Sequence, residues 1–203
     1  MDDLIIRTDR RAGRITFNRP QALNALSHDM ALAIHAALND WRDNPQVDLV
    51  IIDAVGDKAF CAGGDIAAVY HAGRAGDHAV GAQFFFDEYR MNAAIAEYPK
   101  PIVAFMQGFV MGGGVGVGGH ASHRIVGDTT QIAMPESGIG LIPDVGGTYL
   151  LSRAPGRLGE YIGLTASRMG PGDAIHAGFA DSVIRQHACS TIHNPPALGL
   201  SKY

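Results

Sequence analysis

Residues 101–119 read PIVAFMQGFVMGGGVGVGG, and they carry the clearest structural signal in the chain. The first six form a continuous apolar run of strand length, which is typical of a parallel-sheet strand buried on both faces. Seven glycines share the stretch, and most of them follow the strand. Glycine allows the backbone to approach a ligand or a neighbouring segment closely. We therefore expect a buried strand that ends in a glycine-rich turn before a helix.

Strand and helix patterns continue on both sides of this stretch. Further strand patterns lie at residues 14–18, 49–52, 124–126, 132–134 and 179–184. Helix patterns lie at residues 26–41, 67–98 with a break at 73–76, 146–152, 158–164 and 171–178. The order of strand, strand and helix, loosely repeated, predicts an α/β domain with a largely parallel sheet covered by helices.

Local signals refine these elements. Residues 14–18 alternate polar and apolar side chains, which predicts a half-buried strand. Asn24 or Ser27 is the expected N-cap of the first helix. Pro171 fits the first position of the last helix, and Gly178 fits the position just after its end.

The length of 203 residues fits one domain with a small appendage. Residues 1–185 form the predicted core, and residues 186–203 form a tail without periodicity. The formal net charge of −4 gives no indication of nucleic-acid or anionic-membrane binding. Two cysteines cannot build a disulfide framework, the N-terminus lacks a targeting pattern, and no apolar run is long enough to span a membrane. We therefore expect a soluble cytoplasmic protein.

Two glycine-rich turns are the first candidates for a site. One covers residues 58–66 and the other covers residues 112–119. Two backbone N–H donors, one from each turn, would form an oxyanion hole, and each donor contributes about 3–4 kcal/mol in known cases. Cys61 in the first turn lacks a local activating base, so a small buried residue is the better interpretation than a nucleophile.

Gly114, Gly116 and Gly119 formally match the dinucleotide fingerprint, but the match is weak. The candidate acidic residue, Asp128, lies only nine residues beyond Gly119, whereas the fingerprint needs about 20. No Gly-Lys-Ser/Thr follows, so a Walker phosphate loop is also disfavoured. His120 and His123 lie three residues apart without a third ligand nearby, so we predict no metal site.

Residues 134–147 hold two carboxylates, Glu136 and Asp144, in an apolar segment rich in glycine and proline. Apolar surroundings raise the pKa of a carboxyl group, so either could act as a base or an acid near neutral pH. The alternative is structural: Glu136 would cap a turn, and Asp144 would cap the helix that follows.

Taken together, these clusters resemble the enoyl-CoA hydratase/isomerase (crotonase) superfamily. The resemblance covers about residues 4–184 and rests on residues 22–26, residues 61–66, the glycine run from Gly112, and Pro135-Glu136. It implies a crotonase-like spiral of β-β-α units, an acyl-CoA thioester as ligand and a trimer-like homo-oligomer. It also implies that the N–H groups of Gly64 and Gly113 form the oxyanion hole. The same turn would then bind substrate through Ala62, Gly63, Asp65 and Ile66.

Within the superfamily, the chain is most similar to 3-hydroxyisobutyryl-CoA hydrolases, thioesterases of valine breakdown. Hydratases carry a glutamate at the position of Gly116, so their water-activating pair is incomplete here. The hydrolase resemblance implies catalytic roles for Glu136 and Asp144 and a substrate contact for Glu88. Glu136 would attack the thioester or activate a water, and Asp144 would hold the substrate hydroxyl or that water.

Coenzyme A would be part of the substrate and a released product, so no separate cofactor is expected. Hydrolases of this type continue well past residues 180–181, so the resemblance implies a chain shortened at its C-terminus. An isomerase or hydratase of the same fold, or an inactive CoA-binding remnant, are the alternatives.

Overall fold

The structure is a computed structural model that describes residues 3–185. The strands are β1 (Leu4–Asp9), β2 (Ala12–Phe17), β3 (Leu49–Ala54), β4 (Ala59–Cys61), β5 (Ile102–Met106), β6 (Phe109–Met111), β7 (His123–Gly127), β8 (Gln131–Ala133) and β9 (Ser182–Ile184). The helices are α1 (His28–Arg42), α2 (Ile66–Arg74), α3 (His78–Ala96), α4 (Gly113–Gly118), α5 (Gly147–Leu151), α6 (Leu158–Thr165) and α7 (Pro171–His176). Short 3-10 turns cover Pro20–Ala22 and Glu136–Ile139.

Two sheets organise these elements. The larger has the strand order β1-β2-β3-β5-β7-β9, and the smaller has the order β4-β6-β8. All pairings are parallel except the β1–β2 hairpin. The strands β3 to β8 form three consecutive pairs. In each pair the first strand joins the larger sheet and the second joins the smaller sheet, and a helical segment follows. This confirms the predicted spiral of β-β-α units.

The strand predicted at residues 14–18 is β2, and it is buried along its length rather than half-buried. It is paired with β1 and β3 on its two edges. Trp41 of α1 packs on one face, where a Cβ on Gly13 would meet the indole ring. Arg14 is tolerated inside because its guanidinium forms a buried ion pair with Asp53. The sequence pattern missed the partner strand, β1.

Helix α1 begins at His28 rather than at residue 26, and Ser27 is its N-cap. The Ser27 hydroxyl accepts from Met30 N at 3.3 Å. Asn24 has a different role, because its buried amide donates to Ala59 O at 2.8 Å and ties its own loop to the start of β4. The break between α2 and α3 and the positions of Pro171 and Gly178 are as predicted.

The predicted tail, residues 186–203, lies outside the described residues.

Candidate active site

The two glycine-rich turns lie side by side because the strands before them are neighbours in the smaller sheet. Strands β4 and β6 pair in parallel, with Cys61 opposite Val110, so the chain leaves both at the same edge. The prediction of a plain turn at residues 60–66 overlooked β4, which is only three residues long. A Cβ built on Gly113 would lie 3.0 Å from Gly64 N, so the two turns are in contact.

The N–H groups of Gly64 and Gly113 take no part in the backbone hydrogen bonds that hold these turns. Leu26 N donates to Gly63 O at 2.9 Å, and Asp65 N donates to Leu26 O at 2.8 Å, which fixes the first turn. Gly113 is the first residue of α4, where an N–H has no partner within the helix. Within residues 3–185, neither N–H has a backbone acceptor. Both are therefore available to a ligand.

Four of the six residues of α4 are glycine, and neighbouring side chains and backbone occupy the space that a Cβ would need. A Cβ on Gly112 would meet Glu136 Oε1 at 2.6 Å, and one on Gly113 would meet Glu88 Oε1 at 2.8 Å. A Cβ on Gly116 would lie 2.8 Å from Asn92 Nδ2. Gly116, which formally matched the dinucleotide fingerprint, thus packs against other residues of this protein.

Glu136 lies in the 3-10 turn after β8 and is 6% exposed. Burial, with a smaller contribution from Asp144, raises the pKa of its carboxyl to about 7. Glu88 projects from α3 and is 2% exposed. Burial raises the pKa of Glu88 to about 8, and the charges of Asp144 and Glu136 add to this effect. Near neutral pH, Glu136 can therefore exchange a proton, while Glu88 favours its neutral form.

Asp144 is half-buried, and its side chain does not cap a helix. Helix α5 begins after Gly146 and receives no side-chain hydrogen bond at its start, and the 3-10 turn of Glu136 receives none either. Asp144 Oδ2 instead accepts a hydrogen bond from the Tyr89 hydroxyl at 2.7 Å. The geometry favours a carboxylate held at the site over a helix cap.

A cavity of about 110 Å³ joins these groups. Its lining contains most of the predicted site residues together with apolar side chains: Ala62, Gly63, Gly64, Ile66, Phe84, Phe85, Glu88, Gly112, Gly113, Pro135, Glu136, Ile139, Leu141, Asp144 and Val145. Asp65 was also predicted to bind substrate, but it does not line this cavity. Its carboxylate forms an ion pair with Arg19 at 3.0 Å instead.

A family model described as Enoyl-CoA hydratase/isomerase matches residues 12–196. The chain belongs to the enoyl-CoA hydratase/isomerase family. The predicted resemblance is thereby confirmed. A solved structure described as an enoyl-CoA hydratase shares the fold.

Curated relatives in this family are named 3-hydroxyisobutyryl-CoA hydrolases. The Xenopus tropicalis protein is 52% identical over 169 residues, and Arabidopsis thaliana hydrolase 1 is 45% identical over 166 residues. These matches cover 83% and 82% of this chain but 44% of each relative. A solved structure described as an enoyl-CoA hydratase from Rhodobacter sphaeroides 2.4.1 is 61% identical, with a TM-score of 0.93 over 95% of this chain and 57% of that chain. The chain thus spans about half the length of the curated relatives it matches.

The prediction of a cytoplasmic location is wrong. The relatives from Xenopus tropicalis, Danio rerio and Homo sapiens are named as mitochondrial proteins. A low cysteine content indicates a reducing environment, which more than one compartment provides, so composition could not separate them. Among residues 3–185, no helix is long and apolar enough to cross a membrane.

Two further predictions concern side chains near the site. Cys61 is fully buried, and burial raises the pKa of its thiol to about 12, so a thiolate nucleophile is disfavoured. In the described part of the chain, no group of three or more His, Cys, Asp or Glu could hold a metal ion. His120 Nε2 lies 2.8 Å from Val145 O, and burial lowers the pKa of His120, which favours a neutral ring that donates to this carbonyl.

Sequence reasoning assigned no role at the site to Tyr89, Asn92 and His120. Asn92 lies one helical turn after Glu88, so a helical projection of α3 would have placed it near the carboxylates. Tyr89 directly follows Glu88 and projects from a different side of the helix, so the projection would not have placed it there. His120 offered no such signal, because its contact with Val145 joins positions 25 residues apart.

Proposed function

We propose that this chain carries the active site of an acyl-CoA thioester hydrolase that acts on a short 3-hydroxyacyl group, such as that of 3-hydroxyisobutyryl-CoA. One observation supports the proposal: Gly64 and Gly113, whose N–H groups have no backbone acceptor within residues 3–185, lie next to each other in a cavity with a buried carboxyl whose pKa is raised to about 7. A carbonyl oxygen that gains negative charge is the ligand such donors suit best. The names of the curated relatives support the same chemistry.

In this mechanism, the thioester oxygen accepts hydrogen bonds from Gly64 N–H and Gly113 N–H. Glu136 then attacks the carbonyl carbon to give an anhydride that water opens, or it takes a proton from an attacking water. By either route the C–S bond breaks, and the sulfur leaves as the thiol of free coenzyme A with a proton that water supplies. The oxygen of water ends on the acyl carbon when water attacks that carbon, and on Glu136 when water opens the anhydride at the Glu136 carbon. Coenzyme A enters as part of the substrate and leaves as a product, so the reaction needs no other cofactor.

The two remaining carboxyl groups would fix the acyl chain. Asp144 would accept a hydrogen bond from the substrate 3-hydroxyl or hold the attacking water. Glu88, kept neutral by burial, would act as a hydrogen-bond donor to the substrate. A buried polar group that is left unpaired by the wrong substrate gives strong discrimination, so these contacts would favour hydroxylated acyl groups.

Hydration of an enoyl-CoA is the competing activity, because the Rhodobacter sphaeroides structure is described as an enoyl-CoA hydratase. The space around Gly116 argues against it. A Cβ at this position would lie 2.8 Å from both Asn92 Nδ2 and Val145 Cβ. A second glutamate of the hydratase pattern therefore does not fit beside α4 without repacking. This favours hydrolysis over hydration.

The test is a thiol-release assay with 3-hydroxyisobutyryl-CoA, run beside crotonyl-CoA hydration. We expect free thiol without hydration, and we expect Glu136→Gln to lower turnover by at least about two orders of magnitude while an acyl-CoA analogue still binds. Glu160→Gln is the matched control, because Glu160 is exposed and pairs only with Arg157 among the described residues. Efficient hydration by the wild type, or unchanged turnover in Glu136→Gln, would overturn the proposal.

A further inference from the structure

We propose that Tyr89 is a positioning residue that aligns Asp144 for the reaction; this inference rests on the proposed hydrolase function. The hydroxyl of Tyr89 donates to Asp144 Oδ2 at 2.7 Å across 55 positions of sequence. No part of the hydrolase resemblance assigns Tyr89 a role. The hydrogen bond is therefore a feature of the site that the catalytic scheme above leaves unexplained.

Asp144 differs from the other two carboxyl groups in having a side-chain donor. Glu88 Oε1 and Glu136 Oε2 are buried and have no hydrogen-bond partner within residues 3–185. Because the phenol occupies Oδ2, it leaves Oδ1 for the substrate hydroxyl or the water. Burial and the bond to Asp144 raise the pKa of Tyr89, so it remains a donor at working pH.

Both ends of this hydrogen bond are held by separate elements. The ring of Tyr89 stacks on Phe85 of α3, with centroids 6.0 Å apart and planes at 30°. On the other side, Gly147 N donates to Asp144 O at 2.6 Å, and His120 contacts the carbonyl of Val145. The backbone of the Asp144 turn is thus fixed, whereas the half-buried carboxylate depends on Tyr89 for its orientation.

The turn after Asp144 shows that this position is constrained. Val145 has a φ of +47°, which is rare for a β-branched residue, and it is 2% exposed. Such a conformation persists only where surrounding contacts hold it, and it is found most often at functional sites. The turn keeps an unfavourable backbone conformation at Val145, and its Asp144 carboxylate is hydrogen-bonded to Tyr89 of α3. Both features suit a carboxylate that must contact the substrate in one orientation.

The experiment is a double-mutant cycle on hydrolysis of 3-hydroxyisobutyryl-CoA with Tyr89→Phe, Asp144→Asn and the double variant. We expect Tyr89→Phe to lower kcat about tenfold or more, since small errors in position are costly in catalysis. We also expect a reduced preference for 3-hydroxyisobutyryl-CoA over isobutyryl-CoA. The double variant should be no slower than Asp144→Asn, because Tyr89 acts through Asp144.

Tyr70→Phe is the matched control, since the hydroxyl of Tyr70 contacts only Arg74 on the surface of α2 within the described residues. Thermal unfolding of every variant separates a folding defect from a catalytic one, and Tyr89→Phe keeps the ring that packs on Phe85. Additive losses in the double variant, or an unchanged Tyr89→Phe enzyme, would overturn the role of Tyr89. Absence of thiol release by the wild type would instead show that the proposed hydrolase function fails, and this inference with it.

Discussion

The carboxyl groups of Glu88, Glu136 and Asp144 line one small cavity, and burial raises the pKa of both glutamates. Glu88 is the most deeply buried, and its pKa is raised to about 8, against about 7 for Glu136. Asp144 is half-buried and receives a hydrogen bond.

Glu88 provides a test of this arrangement that needs no enzyme activity. Its pKa rises from 4.5 to about 8 on folding, so the folded state holds more protons than the unfolded state between these values. The contribution of Glu88 to stability is therefore complete below about pH 4.5 and is lost as pH rises through about 8. Glu88→Gln cannot ionise and should escape this loss. We expect its advantage over the wild type in unfolding free energy to grow from pH 5 to pH 9, by about 2–5 kcal/mol.

Urea unfolding at a series of pH values would measure that advantage, with Glu160→Gln as the exposed control. A difference between Glu88→Gln and the wild type that stays constant from pH 5 to pH 9 would show that the Glu88 carboxyl does not hold a proton in the folded state.

Among the elements, α4 shows most clearly where the sequence was informative and where it was not. The glycine run predicted a close approach of backbone, and the structure contains one. The helix itself was hard to predict, because glycine disfavours helix by about 1 kcal/mol per residue relative to alanine. Strands β4 and β6, which the sequence pattern missed, have three residues each, too few for a periodicity to emerge. Contacts such as Tyr89–Asp144 arise only after folding joins distant positions.

The glycines of α4 lead to a prediction that reverses the usual preference for alanine. At Gly116, a Cβ would lie 2.8 Å from Val145 Cβ and Asn92 Nδ2, so Gly116→Ala should overpack the helix and cost about 1–3 kcal/mol. At Gly172 in α7, nothing lies within 4 Å of such a Cβ, and the same change should stabilise by up to about 1 kcal/mol. Thermal unfolding of both variants checks the sign. Stabilisation by Gly116→Ala would show that α4 is less tightly enclosed than the structure indicates.

At the scale of the molecule, the spiral builds the site from the segments that follow the three strands of the smaller sheet. Gly64, Gly113 and Glu136 each follow a strand of the smaller sheet by two or three residues. Because β4, β6 and β8 are parallel neighbours, their carboxyl ends meet at one edge and the three groups converge. The sequence located each cluster because each is local. Their convergence, and the carboxylates that α3 and the Asp144 turn add, depends on topology that no single segment encodes.

The same topology predicts an uneven distribution of stability around the site. Helix α2 begins directly after the Gly64 turn and contains no buried residue, whereas Val50, Ile52, Ile102 and Ala104 in β3 and β5 are completely buried. Segments with few buried apolar contacts open at a lower free energy than the core. We expect the amide hydrogens of α2 to exchange by local opening that is insensitive to urea, while those of β3 and β5 exchange only with global unfolding.

A non-hydrolysable acyl-CoA analogue should slow exchange in α2 first, because Ile66 lines the cavity. Native-state hydrogen exchange at several urea concentrations measures both effects, and α2 amides as protected as those of β3 would contradict the prediction.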